Sequence, residues 1–370
     1  MPLRIATFNA ENLMHRFDFS GFRNELRRDR TLRMFDIKDK EHYQDLEQAR
    51  AVAQTDDAMQ LTALAIADTS ADIICLQEVE NLEALKAFEY GYLFKMIGRG
   101  YRHKYLVEGN DGRGIDVAVM MRDETATGEK IEFLSMQSYA HVTFEEFGLF
   151  DEELAERGIE ASDRIFKRDC LEIDLKIGGK RITLFVVHFK SMSNGRDGID
   201  GRTWTMPIRA AEASAVRRII ENKFGEERTG SKRWMVCGDL NDYRSRIVVD
   251  GNRTDGYRFN MVQETNSGFD PLISDGFTVN LSEKLPDMEQ WTLYHSRGPD
   301  ERHLCQLDYL LASPVLAEKN PNVVPEIIHC GQPWRTPFPN DQHVDRYPRT
   351  GWDRPKASDH SPVVVEINLL

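Results

Sequence analysis

Short apolar segments that end on a polar residue recur from one end of this chain to the other. One of them, Trp234–Cys237, predicts a buried strand that breaks at Gly238 and is followed at once by Asp239 and Asn241. The other strand-end residues are Asn9, Glu78, His188, Asp308, Asp359 and His360. One such end is common, whereas six segments of this kind predict convergence on one rim of a packed sheet structure.

A shared rim predicts one domain over residues 1–370, because two independent domains would not need reactive groups at both chain ends. Length alone would favour two or three domains. Surface insertions are predicted near 17–57, 245–302 and 321–355, the second loop-rich and the third rich in proline. The first carries five arginines between residues 23 and 33 and is either a solvated insertion or a flap that brings cations to an anionic substrate.

Two local patterns are clear. Leu171–Ile177 and Ile182–Val186 alternate apolar and polar residues around Gly178-Gly179, which predicts a hairpin ending at His188. Pro207 predicts the start of a helix, in which Arg209 and Glu212 lie one turn apart as a surface ion pair.

The composition limits the class of protein. The net charge of −13 argues against a basic protein that coats nucleic acid, but not against an enzyme that meets phosphate through a metal ion. No apolar run is long enough for a bilayer and no signal peptide is evident, so we expect a cytoplasmic protein without membrane insertion. The five scattered cysteines form neither a disulfide framework nor a zinc pattern, and Cys75 and Cys237 are predicted in the core.

The strand-end residues form a coherent chemical set. Carboxylate and amide oxygens without a cysteine cluster favour Mg²⁺, with Mn²⁺ as the other option, over Zn²⁺. Histidines and further acids fit proton transfer.

Six segments resemble, in order, the motif set of the endonuclease/exonuclease/phosphatase (DNase I-like) superfamily. They are TFN ending at Asn9, LQE ending at Glu78, VVHFKS containing His188, GDLN over Gly238–Asn241, LDY around Asp308 and SDH over Ser358–His360. The resemblance covers nearly the whole chain except residues 17–57 and 245–302. It implies an α/β fold, a four-layered sandwich of two mainly antiparallel sheets packed face to face and flanked by helices.

The same resemblance implies a metal site. Glu78 would be the principal Mg²⁺ ligand, with Asn9 beside it and Asp359 helping to hold the ion. Glu11 stands where some members of the superfamily place an acid near the metal.

The resemblance also implies catalytic and substrate-binding roles. Asp239 would orient or deprotonate the attacking water, and Asn241 would donate to the phosphate. His360, oriented by Asp308, would stabilise the transition state or protonate the leaving oxygen. Two further matches are His188, which corresponds to the DNase-like histidine near the scissile phosphate, and Arg168, which resembles a phosphate-contacting arginine.

The expected function is a Mg²⁺-dependent phosphodiester hydrolase, a nuclease with nucleic acid as substrate. The alternative is a phosphatase or phosphodiesterase for a small-molecule or lipid head-group phosphoester, which the negative charge favours. A binding module without catalysis is a third reading, and the intact motif set opposes it. No protein partner is evident in the sequence.

Overall fold

The computed structural model describes residues 2–14, 55–192, 195–196, 198–298, 301–339 and 342–369. Its strands are β1 Pro2–Leu13, β2 Ile73–Val79, β3 His103–Leu106, β4 Asp116–Met121, β5 Ile131–Ser138, β6 Cys170–Ile177, β7 Lys180–His188, β8 Trp234–Asp239, β9 Ser245–Asn252, β10 Gly256–Gln263, β11 Val279–Asn280, β12 Leu293–Ser296, β13 Arg302–Cys305, β14 Asp308–Ala312, β15 Glu326–Ile327 and β16 Val363–Asn368. Its α-helices are α1 Asp56–Thr69, α2 Leu82–Phe88, α3 Phe94–Ile97, α4 Glu152–Glu156, α5 Gly201–Phe224, α6 Asp270–Ile273 and α7 Pro314–Glu318.

Two six-stranded sheets form the body of the fold. Their strand orders are β15-β16-β1-β2-β4-β3 and β11-β14-β8-β7-β6-β5. Neighbouring strands are antiparallel except for one parallel pair in each sheet, β1–β2 and β7–β8. These pairs bring carboxyl ends of strands together, which places Asn9 beside Gln77 and His188 beside Asp239.

The period-two alternation of the strands builds the layers. Leu184 points into a core between the two sheets that also contains Ile5. Phe185, the next residue, packs on the other face against residues of α5 such as Val216. The outer face of the first sheet packs against α1 in the same way, through Ile66. The order helix, sheet, sheet, helix confirms the predicted four-layered α/β sandwich. The predicted hairpin is also confirmed, as β6–β7, and so is the burial of Cys75 and Cys237.

Residues 245–302 are not loop-rich, and that prediction was wrong. They contain β9, β10 and β12 and reach β13, which together form a separate four-stranded sheet in the order β10-β9-β13-β12, here called the small sheet. It has its own apolar cluster, centred on Ile247, Trp291 and Leu304. The sequence signal for these strands was the alternation of Tyr257, Phe259 and Met261 with polar residues. Such alternation is a weak indication of a strand when the strand is short and one of its faces is exposed.

Helix α5 begins earlier than predicted. Asp200 caps it by accepting a hydrogen bond from Thr203 N at 3.1 Å, so Pro207 lies inside the helix rather than at its start. Arg209 and Glu212 are both fully buried, which contradicts the predicted surface ion pair.

The two remaining insertions differ in how far they are described. Residues 15–54, which hold most of the segment near 17–57 and all its arginines, lie outside the described residues. The segment near 321–355 is mostly irregular, but it is not only surface, since His329 stacks on Trp291 with 3.8 Å between ring centroids. In the described part of the chain, no helix combines the length and apolar character that a membrane span requires.

Candidate active site

Three strands of the second sheet deliver the central reactive groups. Asp239 lies opposite Asp308 on one side and beside His188 on the other. Its Oδ2 atom is 3.6 Å from His188 Nε2 and 3.9 Å from His360 Nε2. Asp308 Oδ2 accepts from or shares a proton with His360 Nδ1 at 2.8 Å. Four predicted residues, Asp239, Asp308, His188 and His360, therefore meet at one point.

The backbone conformation on either side of Asp239 restricts which residues can occupy positions 238 and 241. Gly238 has a φ of 153°, and a Cβ there would overlap the Val187 carbonyl on the neighbouring strand. Asn241 has a φ of 50°, which lets its backbone N–H reach Asp239 Oδ1 at 2.8 Å. Its side-chain Nδ2 donates to Phe189 O at 3.0 Å. A strained backbone held by neighbours in this way is typical of functional sites.

Asp239 and His360 titrate near or above neutrality. Burial raises the pKa of Asp239 to about 7, and Asp308 adds to the rise while His360 opposes it. Burial opposes charge on His360, but the Asp308 and Asp239 carboxylates outweigh it and raise the pKa of the imidazole well above its ordinary value. At neutral pH the site therefore holds a carboxyl group able to accept a proton beside an imidazolium able to donate one.

His188 is the opposite case. Burial and the nearby Arg168 guanidinium hold its pKa well below the ordinary range, so its imidazole is neutral. Its Nε2 atom lies 4.0 Å from Glu78 Oε1, and its Nδ1 has no hydrogen-bond partner among the described residues. His188 thus lies between Asp239 and Glu78 as an uncharged donor or acceptor.

The predicted metal ligands lie next to this group. Asn9 Nδ2 donates to Asp239 Oδ2 at 3.0 Å, and Asn9 Oδ1 accepts from Glu11 N at 3.0 Å. Glu78 has a φ of 63°, and its Oε2 accepts from Asn12 N at 3.0 Å. Burial and the nearby Asp359 carboxylate raise the pKa of Glu78.

This donor set fits a hard divalent cation. Glu78 and Asp359 are like charges held close together, which is costly unless a cation or a proton neutralises them. Glu11 is already paired with Arg354 at 2.6 Å and Lys356 at 3.0 Å. Among the described residues, the group of acids and histidines with metal-ligand spacing is Asp239–Asp308–His360, whose imidazole Nδ1 already shares a hydrogen bond with Asp308.

Arg168 is buried behind the site rather than exposed on its rim. Its Nε lies 2.8 Å from Asp111 Oδ2, and its Nη1 donates to Phe189 O at 2.9 Å. That carbonyl also accepts from Asn241. In this structure Arg168 contacts the backbone that orients Asn241, and its positive charge faces His188.

A buried polar group behind the site was not identified as such from the sequence. Glu212 accepts from Lys167 N at 3.0 Å and from Lys190 N at 2.7 Å, the residues next to Arg168 and Phe189. Arg209 Nε lies 3.0 Å from Asp242 Oδ2. The spacing of Arg209 and Glu212 shows that they lie on one face of α5. The spacing is the same whether that face is exposed to solvent or packed against the core, so it does not reveal the burial.

The comparisons with known proteins identify the family and the fold. A family model described as the endonuclease/exonuclease/phosphatase family matches residues 6–360. The chain belongs to this family. Its members are phosphoester hydrolases that generally use divalent metals. A search of curated proteins by sequence found no match.

Solved structures show the same fold at low identity. An endonuclease/exonuclease/phosphatase family protein from Bacteroides thetaiotaomicron has a TM-score of 0.50 and 12% identity, covering 99% of this chain and 98% of that one. The mannosyl-6-phosphatase of the same organism has a TM-score of 0.50 and 14% identity, covering 99% of each chain. The human Nocturnin catalytic domain, solved with sulfate bound, has a TM-score of 0.51 and 12% identity, covering 99% and 94%.

Proposed function

We propose that this protein is a Mg²⁺-dependent phosphodiester hydrolase, with Mn²⁺ as a substitute, and that it acts on nucleic acid as a nuclease. The observation that carries the proposal is the position of Asp239, whose carboxyl group lies between a neutral His188 and a protonated His360. A proton acceptor and a proton donor that lie next to each other suit proton transfer during displacement at phosphorus.

Glu78, Asn9 and Asp359 would hold the metal ion, and Glu11 lies within the same group of acids. When bound, a divalent cation supplies positive charge to a phosphoryl oxygen and to the developing transition state. The excess of carboxylates around Glu78 and the raised pKa of that group support the assignment.

The chain's own residues then perform the displacement. Asp239 orients a water molecule and takes its proton as the water oxygen forms a bond to phosphorus. The bond from phosphorus to the leaving oxygen breaks in line, and His360, held by Asp308, gives that oxygen a proton. Asn241 donates to a phosphate oxygen, and His188 makes a polar contact near the scissile phosphate. The positive charge of Arg168 lies near His188 and stabilises negative charge on the phosphate. The protein forms no covalent intermediate.

The test is metal-dependent hydrolysis of plasmid DNA and of bis-p-nitrophenyl phosphate, with Mg²⁺, Mn²⁺ or EDTA. Glu78→Gln should lose activity on both substrates and its response to Mg²⁺. The matched control is Glu83→Gln on α2, an exposed glutamate paired only with Lys86 among the described residues, which should behave as wild type. Activity that persists in EDTA, or in Glu78→Gln, would overturn the metal assignment.

A small phosphoester is the second candidate substrate. The net charge of −13 favours it over a long polyanion, and a cavity of about 580 Å³ adjoins the reactive residues. Turnover of p-nitrophenyl phosphate or sugar phosphates without any cleavage of DNA or RNA would select this candidate. Cleavage of nucleic acid alone would exclude it.

A further inference from the structure

The cavity beside the reactive cluster joins two parts of the fold. On one side it is lined by Asn241, Asp359 and His360. The opposite side is made by the small sheet, through residues such as Arg246, Leu293, His295 and His303. A substrate whose phosphorus lies at Asp239 would therefore extend its attached group against the small sheet.

The small sheet is tied to the catalytic groups through its backbone. Leu293 forms a β-bridge with His360, and Ser361 N donates to Thr292 O at 2.8 Å. Thr292 Oγ1 accepts from Asp308 N at 3.2 Å. The cavity wall is therefore held in a fixed position relative to the proton donor.

Two of the three arginines that line the cavity lie beside carboxylates. Arg202 Nε lies 2.6 Å from Asp242 Oδ1, and Arg246 Nε lies 3.0 Å from Glu264 Oε1. His295 Nε2 lies 3.2 Å from Glu301 Oε1. These two arginines already face carboxylates, and burial lowers the pKa of His295, so the three side chains offer little positive charge to a second phosphate group.

The same wall presents flat rings. His303 stacks on His295 with 4.8 Å between ring centroids and 28° between planes, and Tyr243 meets His303 edge-on at 5.5 Å. Burial and the neighbouring His295 lower the pKa of His303 to about 3, so this ring is neutral. Leu293 and Leu307 add apolar surface. Stacked rings with apolar flanks are a surface on which a nucleobase binds favourably.

We infer that this cavity binds one nucleoside of the substrate, with the base against His295 and His303 and the attached phosphate at Asp239. The inference rests on the proposed function and specifies its substrate as a nucleoside phosphoester. The volume lies within the roughly 300–1,000 Å³ typical of small-molecule sites. It accommodates one nucleoside rather than a duplex.

The test compares esters with one leaving group. The probes are the 5′- and 3′-p-nitrophenyl phosphates of thymidine and methyl p-nitrophenyl phosphate, which lacks a nucleoside. We expect wild type to have a higher kcat/KM on at least one thymidine ester than on the methyl ester. His295→Ala should lower that ratio roughly 5- to 150-fold, the range expected for loss of one base–ring stack.

Two variants control the experiment. His295→Phe keeps a flat ring without the Glu301 pair and should restore most of the ratio. His103→Ala removes a partly exposed histidine in the first sheet, paired with Asp123, and should leave the ratio unchanged. A ratio that His295→Ala does not lower, or one that His295→Phe fails to restore, would overturn the nucleoside assignment.

The experiment distinguishes failure of the proposed hydrolase function from failure of the nucleoside site. If no ester is hydrolysed with Mg²⁺ or Mn²⁺, the hydrolase proposal fails, and calorimetry with thymidine 5′-monophosphate then tests the cavity alone. Binding that His295→Ala weakens and His295→Phe restores would support the cavity, and absence of binding would refute it. Hydrolysis of hexose phosphates, impaired by His295→Ala while thymidine esters are not used, would replace the nucleoside by a sugar.

Discussion

The rim of the two large sheets and the small sheet differ in what holds their residues in place. At the rim, Asp239, His188 and Asp308 are positioned by strand register and are almost completely buried. In the small sheet, alternate residues of β10 are exposed and a separate cluster around Trp291 supplies the packing. We therefore expect changes at the rim to abolish chemistry, and changes in the small sheet to alter which substrate is used.

The largest expected effect separates the two regions by activity. His360→Ala should lower kcat roughly 10²–10⁴-fold on every phosphoester, because the proton donor is lost whatever the substrate carries. His295→Ala, in the small sheet, should change substrate preference instead. The measurement is kcat and KM on the methyl and thymidine esters. A loss in His360→Ala that is confined to nucleoside esters would contradict the division.

The next effect concerns the polar group buried behind the rim. Glu212→Gln leaves one amide oxygen for two backbone N–H groups and places an NH₂ group where an acceptor is needed. We expect a loss of about 1–3 kcal/mol in the free energy of unfolding, together with lower activity, because Lys167 and Lys190 adjoin Arg168 and Phe189.

Urea unfolding and kcat on bis-p-nitrophenyl phosphate measure the two effects. Glu221→Gln is the matched control on the same helix, since Glu221 forms a partly exposed pair with Arg217. Pairs of that kind contribute about 0.3–0.5 kcal/mol. Equal losses in the two variants would show that the buried position of Glu212 has no special effect.

The rim of the large sheets and the small sheet also differ in how well they could be predicted from the sequence. Glu78 and Asp239 were identified because each follows an apolar run and matches a motif in order, and His360 because it matches a motif just before the apolar run at Val363. The strands of the small sheet were missed because they are short and only half buried, so their alternation is weak. Arg209 and Glu212 were placed on the surface because helical spacing alone does not reveal which face is buried. The positions of Arg168 and Arg354 depend on contacts distant in sequence, which no local pattern contains.

A smaller effect links metal binding to pH. In the metal-free protein the pKa values of Asp239 and Glu78 are raised, so their contribution to stability is present at low pH and is lost as the pH rises, for Asp239 through about 7. A divalent cation offsets this loss. Mg²⁺ should therefore raise the melting temperature more at pH 8 than at pH 5.5.

The same melts with Glu78→Gln provide the control, since removing the principal ligand should remove most of the difference between the two pH values. A saturating ligand at 100 times its Kd contributes about 2.7 kcal/mol. A Mg²⁺ shift that is the same at both pH values would contradict the account of the acid cluster.

The smallest effect is one of local stability. Backbone amides of β10, an edge strand with exposed residues, should exchange hydrogen for deuterium faster than those of β8, which is buried between β7 and β14. Hydrogen exchange resolved by peptide measures this. Equal protection in the two strands would mean that the small sheet opens only with the whole molecule.

The most direct test of the central claim is hydrolysis of bis-p-nitrophenyl phosphate by wild type and by Asp239→Asn, each with Mg²⁺, Mn²⁺ or EDTA. The control is Asp287→Asn, an exposed aspartate outside the site. We predict metal-dependent turnover in wild type and in the control, and a roughly 10²–10⁴-fold loss in Asp239→Asn. Turnover by Asp239→Asn at the wild-type rate, or turnover in EDTA, would show that the cluster at the strand ends is not the reactive site.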